Sequence, residues 1–161
     1  MKAVLGGLAL GLAGCANKFR TYDGPEVTRL QMFKGDRNLL LFNDAKVLKA
    51  YRIDLGFAPE GPKQFEGDGK TPEETYTVDR RNPDSLFHLS IGISYPNEAD
   101  IAFAAAQGRE PGGDIFIHGG PRPGIDAIKP DWTAGCIAVS DREIEDIYAM
   151  VRDGTPIDIF A

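Results

Sequence analysis

Two side chains in the C-terminal third of the chain have the types and spacing for covalent catalysis: His118 and, eighteen positions later, Cys136. A cysteine attacks a carbonyl as its thiolate, and a free thiol of pKa ~8.5 is mostly protonated at neutral pH. A histidine within reach can take that proton. His118 follows Asp114-Ile115-Phe116-Ile117, which reads as a short buried strand, so the ring leaves a strand end in a fixed direction. Gly119 and Gly120 come next, and a backbone carbonyl there can accept the other imidazole proton and fix the tautomer. Gly135 permits a sharp turn before Cys136, after which the amides of Gly135, Cys136 and Ile137 can face a developing oxyanion. If a helix starting near Ser140 aimed its N-terminus at the sulfur, it would favour the thiolate.

Other residues near this pair carry two readings each. Trp132 and Thr133, just before the nucleophile step, either shape the cleft or, for Trp132, pack in the core. Arg142 has a fork that matches a substrate carboxylate, but its place in the first turn of a helix also suits a solvated arginine. His88 is read as a polar residue on the solvent side of a sheet, with a cleft position as the alternative. A catalytic zinc needs three well-placed protein ligands. The His/Cys spacing has a simpler account, so no metal and no cofactor is expected.

The elements that must position these groups are mostly strands. Thr28 to Lys34 reads as a strand, and Arg37 to Phe42 with Lys46 to Asp54 as a hairpin turning at Asn43-Asp44. Gly56 to Thr75 is a long Gly/Pro/charge-rich loop with the length of a lid, and its acidic residues Glu66, Asp68, Glu73 and Glu74 read as solvated. Tyr76 to Val78 is a short strand. Leu86 to Ser94 alternates apolar and polar residues and gives the clearest strand. Asn97 caps a helix over Glu98 to Gln107, closed by Gly108. Gly119 to Asp131 is a Gly/Pro loop. Ser140 opens a second helix with a capping box, an apolar stripe of Ile144, Ile147, Tyr148 and Val151, and a stop at Gly154-Thr155-Pro156. Ile157 to Phe160 is a last strand. The sum is one mainly β domain with two short helices, an α+β class.

The 161 residues suffice for one domain with a core, and 42% hydrophobic with 26% charged residues is ordinary for a globular protein. The net charge of -6, without any Lys/Arg cluster, argues against a nucleic-acid partner. Residues 1–14 read as a secretory leader. Its apolar run, Ala3 to Leu12, is shorter than the ~20 residues a membrane span needs. The run ends Leu12-Ala13-Gly14-Cys15, which resembles a bacterial lipobox with Cys15 as the lipidation site. Residues 15–26 would then be a tether and residues 27–161 the domain. Ala16 after Cys15 resembles the pattern that sorts Gram-negative lipoproteins to the outer membrane, placing the domain in the periplasm. With Cys15 lipidated, Cys136 has no intrachain disulfide partner.

His118-Gly119-Gly120, the Pro/Gly loop and Thr133-Ala134-Gly135-Cys136-Ile137 resemble the YkuD-type L,D-transpeptidase domain. Glu66-Gly67-Asp68, Thr71-Pro72-Glu73, Arg81-Asn82-Pro83 and Ser94-Tyr95-Pro96-Asn97 resemble its YafK-like subgroup. The resemblance covers roughly Leu30 to Phe160. It implies a β-sandwich with the site at a strand end. Cys136 would be the nucleophile and His118 the base. Gly119 would carry the orienting carbonyl, and Gly135 and Cys136 the oxyanion site. The implied partner is peptidoglycan: a stem peptide is attacked after its diaminopimelate residue, D-alanine leaves and a thioester forms. The chain departs from the family pattern at Ala134, where a second histidine is usual, and at Ala138, where asparagine is. Hydrolysis therefore competes with bond formation, including release of a wall-attached lipoprotein. A non-catalytic wall-binding lipoprotein is the third reading.

Overall fold

The computed structural model describes residues 17–161; the leader and Cys15 lie outside the described residues. Eight strands and two helices run in the order β1 (Arg29–Phe33), β2 (Asn38–Asn43), β3 (Lys46–Arg52), β4 (Glu74–Asn82), β5 (Ser90–Ile93), α1 (Glu98–Ala106), β6 (Phe116–His118), β7 (Ile137–Ala138), α2 (Asp141–Met150) and β8 (Pro156–Phe160). They form one sheet of order β3-β2-β1-β8-β4-β5-β6-β7.

β4 is the hinge of that sheet. Its first half pairs with β8 and its second half with β5, with a register shift between Val78 and Arg80. A bulge increases local twist and bends a strand. The sheet curls until its far edges meet. Asp54, just past β3, exchanges backbone hydrogen bonds with Ala138 of β7 at 2.9 and 2.8 Å, and Thr133 does the same with Leu55 and Phe57 at 3.1 and 2.9 Å. The two halves therefore share one core, in which Leu30, Leu39 and Leu41 belong to the same cluster as Ile91, Ile117 and Ile137. α2 packs on β5 and β6 with Ile144 and Ile147 fully buried, worth roughly 2–3 kcal/mol per side chain.

Several elements differ from the sequence reading. β4 extends to nine residues because its polar end is covered: Arg81 lies over the Tyr148 ring and bonds the Tyr148 carbonyl at 2.6 Å. β5 is shorter than Leu86 to Ser94. His88 adopts φ 71°, a left-handed backbone that breaks the strand, and Ser90 to Ile93 are all buried rather than alternating. β7 has no counterpart in the sequence reading. Asn17 to Glu26 carry no helix or strand, but Arg20 pairs with Glu145 and Asp146 at 2.7 and 2.6 Å on α2.

The long segment between β3 and β4 is a packed strap. Lys34 is 2% exposed, and its ammonium donates to the carbonyls of Gly61 and Thr71 and to Glu73 at 2.7, 2.9 and 2.8 Å. Those three acceptors satisfy all three donors of a lysine that burial otherwise penalises. Asp68 collects the amides of Gln64, Phe65 and Lys70 and pairs with Lys63 at 3.0 Å, so it is part of the strap's own framework. Gly56 lies where a Cβ would stand 2.1 Å from the Gly69 carbonyl oxygen, so the strap presses backbone on backbone. Replacing Lys34 by methionine strands Glu73 and two carbonyls and should lower unfolding free energy by about 3 kcal/mol. Chemical denaturation measures it, and a loss under about 1 kcal/mol would contradict this role of Lys34.

Candidate active site

His118 is the last residue of β6, held between Ser90 of β5 and Ala138 of β7, and is 3% exposed. Its Nδ1 lies 2.6 Å from the carbonyl oxygen of Gly119. A carbonyl only accepts, so Nδ1 carries the proton and Nε2 keeps its lone pair. Phe87 stacks on the imidazole with ring centres 4.3 Å apart and 27° between planes, and Trp132 meets it edge-on at 5.6 Å. Burial holds the imidazole below its ordinary pKa, the bond to Gly119 opposing in part.

The Gly119-Gly120 step is closely packed. A Cβ on Gly119 would come within 2.5 Å of an Asp141 oxygen and 2.9 Å of the Phe87 carbonyl. The Gly119 amide donates to that carbonyl at 3.1 Å, and the Gly120 amide donates to Asp141 at 2.9 Å. Gly120 has φ 115°, which favours glycine, and Trp132 covers it.

Cys136 sits at the end of a tight turn. Thr133, 5% exposed, donates its hydroxyl to the Cys136 carbonyl at 2.7 Å and accepts the Gly135 amide at 3.1 Å. From the strap, Thr71 donates to the Gly135 carbonyl at 2.9 Å. Gly135 has φ 138°, and a Cβ there would meet the Lys70 carbonyl at 2.7 Å. The Gly135 amide is thus occupied and Ile137 belongs to β7. Among the described residues the Cys136 amide has no hydrogen-bond acceptor, which makes it the candidate donor to an oxyanion.

The thiol donates to the Asp114 carbonyl at 3.4 Å. Burial pushes its pKa above the ordinary value, opposed by the Phe116 amide and by Lys63 and Arg80. The N-terminus of α2 carries the Ser140/Glu143 capping box. Cys136 and His118 line one open cleft of about 270 Å³ with Asn82, Phe87, Ser90 and Phe116. A thiol and a neutral imidazole lining one cleft can carry out acyl transfer through a thioester.

The remaining sequence candidates separate. Thr133 and Trp132 support the site, one through the turn and one against the imidazole. Arg142 is exposed and does not line this cleft. His88 pairs with Glu145 at 2.8 Å and lines a neighbouring hollow, away from the thiol. Ala134 is exposed. Among the described residues no group of three His, Cys, Asp or Glu side chains is placed to hold a metal ion. No described helix is long and apolar enough to cross a membrane. Phe87, Thr71, Asp141 and Ser90 escaped the sequence reading. Phe87 and Ser90 passed as strand alternation and Asp141 as the residue beside a cap. The signal available for Thr71 was its place in the Thr71-Pro72-Glu73 match to the YafK-like subgroup, which assigned it no role.

Comparison with known proteins agrees with this geometry. The sequence model of the L,D-transpeptidase catalytic domain, YkuD, matches residues 28–159. The Escherichia coli (strain K12) protein YafK is 34% identical over 128 residues, covering 76% of this chain and 46% of YafK. The chain thus spans about half the length of that curated relative. The crystal structure of the helical cell shape determining protein Pgp2 from Campylobacter jejuni matches with TM-score 0.64 and 26% identity, over 91% of this chain and 51% of Pgp2. An L,D-transpeptidase from Mycobacterium smegmatis shares the fold, with TM-score 0.56, 16% identity, and coverage of 84% of this chain and 59% of that one. A domain match over nearly all the described residues, on a fold that brings His118 and Cys136 into one cleft, makes this chain a member of the YkuD L,D-transpeptidase catalytic-domain family.

Proposed function

We propose that this domain is a cysteine-dependent L,D-transpeptidase acting on peptidoglycan stem peptides, carried by the shared cleft of the Cys136 thiol and a buried His118 whose Nδ1 is tied to the Gly119 carbonyl. His118 takes the thiol proton on Nε2 as the sulfur attacks the carbonyl of the stem's diaminopimelate residue. The oxyanion faces the Cys136 amide. The imidazolium then gives its proton to the departing D-alanine amine and leaves a thioester on Cys136. An acceptor amine, deprotonated by His118, releases the acyl group and restores the thiol.

Hydrolysis by the same pair is the second reading. Ala134 is exposed and offers no hydrogen-bonding group to hold an acceptor amine, and water reaches an open cleft. In either case we place the enzyme in the periplasm on a lipid anchor at Cys15, since the leader ends in a lipobox-like Leu-Ala-Gly-Cys.

Incubating the protein with sacculi bearing attached lipoprotein, followed by mass spectrometry, separates the readings. New diaminopimelate cross-links or D-amino-acid exchange give a transpeptidase; released lipoprotein or shortened stems without new bonds give a hydrolase. Cys136→Ala should lose both by at least about 10³-fold with the fold intact, and retained turnover rejects the nucleophile.

The pair's resting charge has its own test. With the thiol's pKa raised and the imidazole's lowered, both groups are neutral near pH 7. Iodoacetamide alkylation of Cys136 should therefore keep rising with pH through and beyond neutrality. A fast plateau already reached near pH 5 would mean a resting thiolate–imidazolium pair instead. The acid limb of kcat/KM should lie below the ordinary histidine value of about 6.5.

A further inference from the structure

Phe87 touches more of this site than any residue outside the Cys/His pair requires. Its ring lies 4.3 Å from the imidazole centre, and the Arg122 guanidinium lies 4.3 Å from the centre of the same ring. Trp132 contacts both rings, at 5.6 Å from His118 and 5.8 Å from Phe87. Phe87 lines the cleft of Cys136 and also the neighbouring hollow with Arg122, so with Ser85 and Leu86 it separates the two. Its carbonyl holds the Gly119 amide at 3.1 Å, next to the carbonyl that fixes His118.

Each partner is itself held. Arg122 forks onto Asp126 with 2.8 and 2.7 Å bonds, and Asp126 also takes the Arg122 amide at 2.7 Å, bringing the carboxyl pKa down to about 2. The Phe87 amide donates to the Ser85 hydroxyl at 3.1 Å. Lys18 bonds the carbonyls of Pro83 and His88 on either side at 2.6 and 3.0 Å. A single carbonyl bond leaves an imidazole free to rock about that bond; a ring stacked on its face removes that freedom.

We propose that Phe87, clasped by Arg122, is the positioning residue for His118, fixing the plane of the imidazole so that Nε2 is presented to the thiol, and that through Arg122 the 119–131 loop holds Phe87 in that place. The inference rests on His118 being the base, as proposed above. The charged groups around the imidazole are Arg122 and Asp126 from the loop, Asp141 of α2 behind Gly120, and Asp114 beside the thiol in the cleft wall. Among these, Arg122 disfavours the protonated ring and Asp126 favours it.

The test uses nitrogen NMR of the two histidines, which needs no substrate, alongside steady-state kinetics on a tetrapeptide muropeptide; His88→Gln assigns the signals. The wild type should show His118 as the Nδ1-protonated tautomer. Phe87→Ala, and Phe87→Leu as the variant that keeps the site filled, should both give mixed tautomers, and Phe87→Ala, which uncovers the ring, should move the His118 titration up toward the ordinary ~6.5. kcat should fall on the order of 10–100-fold while KM changes less than about threefold. Phe87→Tyr, which keeps the flat ring, should recover kcat to within about threefold, and Arg122→Gln should fall between. An unchanged tautomer and kcat in both truncations, or a loss confined to KM, overturns the proposal. Cys136→Ala run beside them tests the functional reading separately: if it turns over normally that reading fails, while the tautomer signal still decides the role of Phe87.

Discussion

The structure depends on keeping one imidazole dry and neutral. His118 is buried, yet it must expose a lone pair to the nucleophile and hide its other proton. The 2.6 Å bond from Nδ1 to the next residue's carbonyl satisfies the donor and leaves the lone pair on Nε2. That bond requires Gly119 to lie flat between Asp141 and the Phe87 carbonyl, where no Cβ fits. It also requires β6 to stop at His118, leaving the carbonyl of Gly119 outside the ladder. Burial that disfavours the imidazolium also disfavours the thiolate, which in the proposed mechanism keeps the proton on sulfur until a carbonyl arrives.

The rest of the fold supplies that burial and carries the nucleophile to it. A sheet that curls until Asp54 meets Ala138 brings the end of β3 against the strand that follows Cys136. The strap between β3 and β4 then runs beneath the nucleophile turn, and Thr71 ties the Gly135 carbonyl to it. Lys34 holds the strap from the far side. Stability and site geometry are thus coupled: the lysine at the end of β1 reaches the Cys136 turn through a single intervening residue.

Much of this was legible in the sequence, for identifiable reasons. The β1–β2–β3 meander, both helices, the Asn97 cap and the Ser140 capping box depend on local signals: turn residues at Asn43-Asp44, cap residues at Asn97 and Ser140, apolar periodicity in α2. His118 and Cys136 stood out because a lone thiol and a histidine among glycines have few structural uses. What stayed hidden is long-range. β7 is two residues long and exists only because Asp54 and β6 flank it. β5 breaks at His88 because the backbone turns left-handed there, which alternation of residue types does not encode. The strap looked like a lid because its anchors, Lys34 and Gly135, lie in distant parts of the chain. Arg142 looked useful by type but points to solvent, whereas its neighbour Asp141 reaches the glycine pair.

The central claim is that Cys136 becomes acylated with His118 moving the proton. The most direct measurement is intact-protein and peptide mass spectrometry after rapid acid quench of the enzyme with a tetrapeptide muropeptide. The account predicts an adduct equal to the stem less D-alanine, confined to the peptide bearing Cys136, that forms slowly or not at all in His118→Ala. Product formation without any adduct on Cys136, or an adduct that accumulates as fast without His118 as with it, would contradict the account.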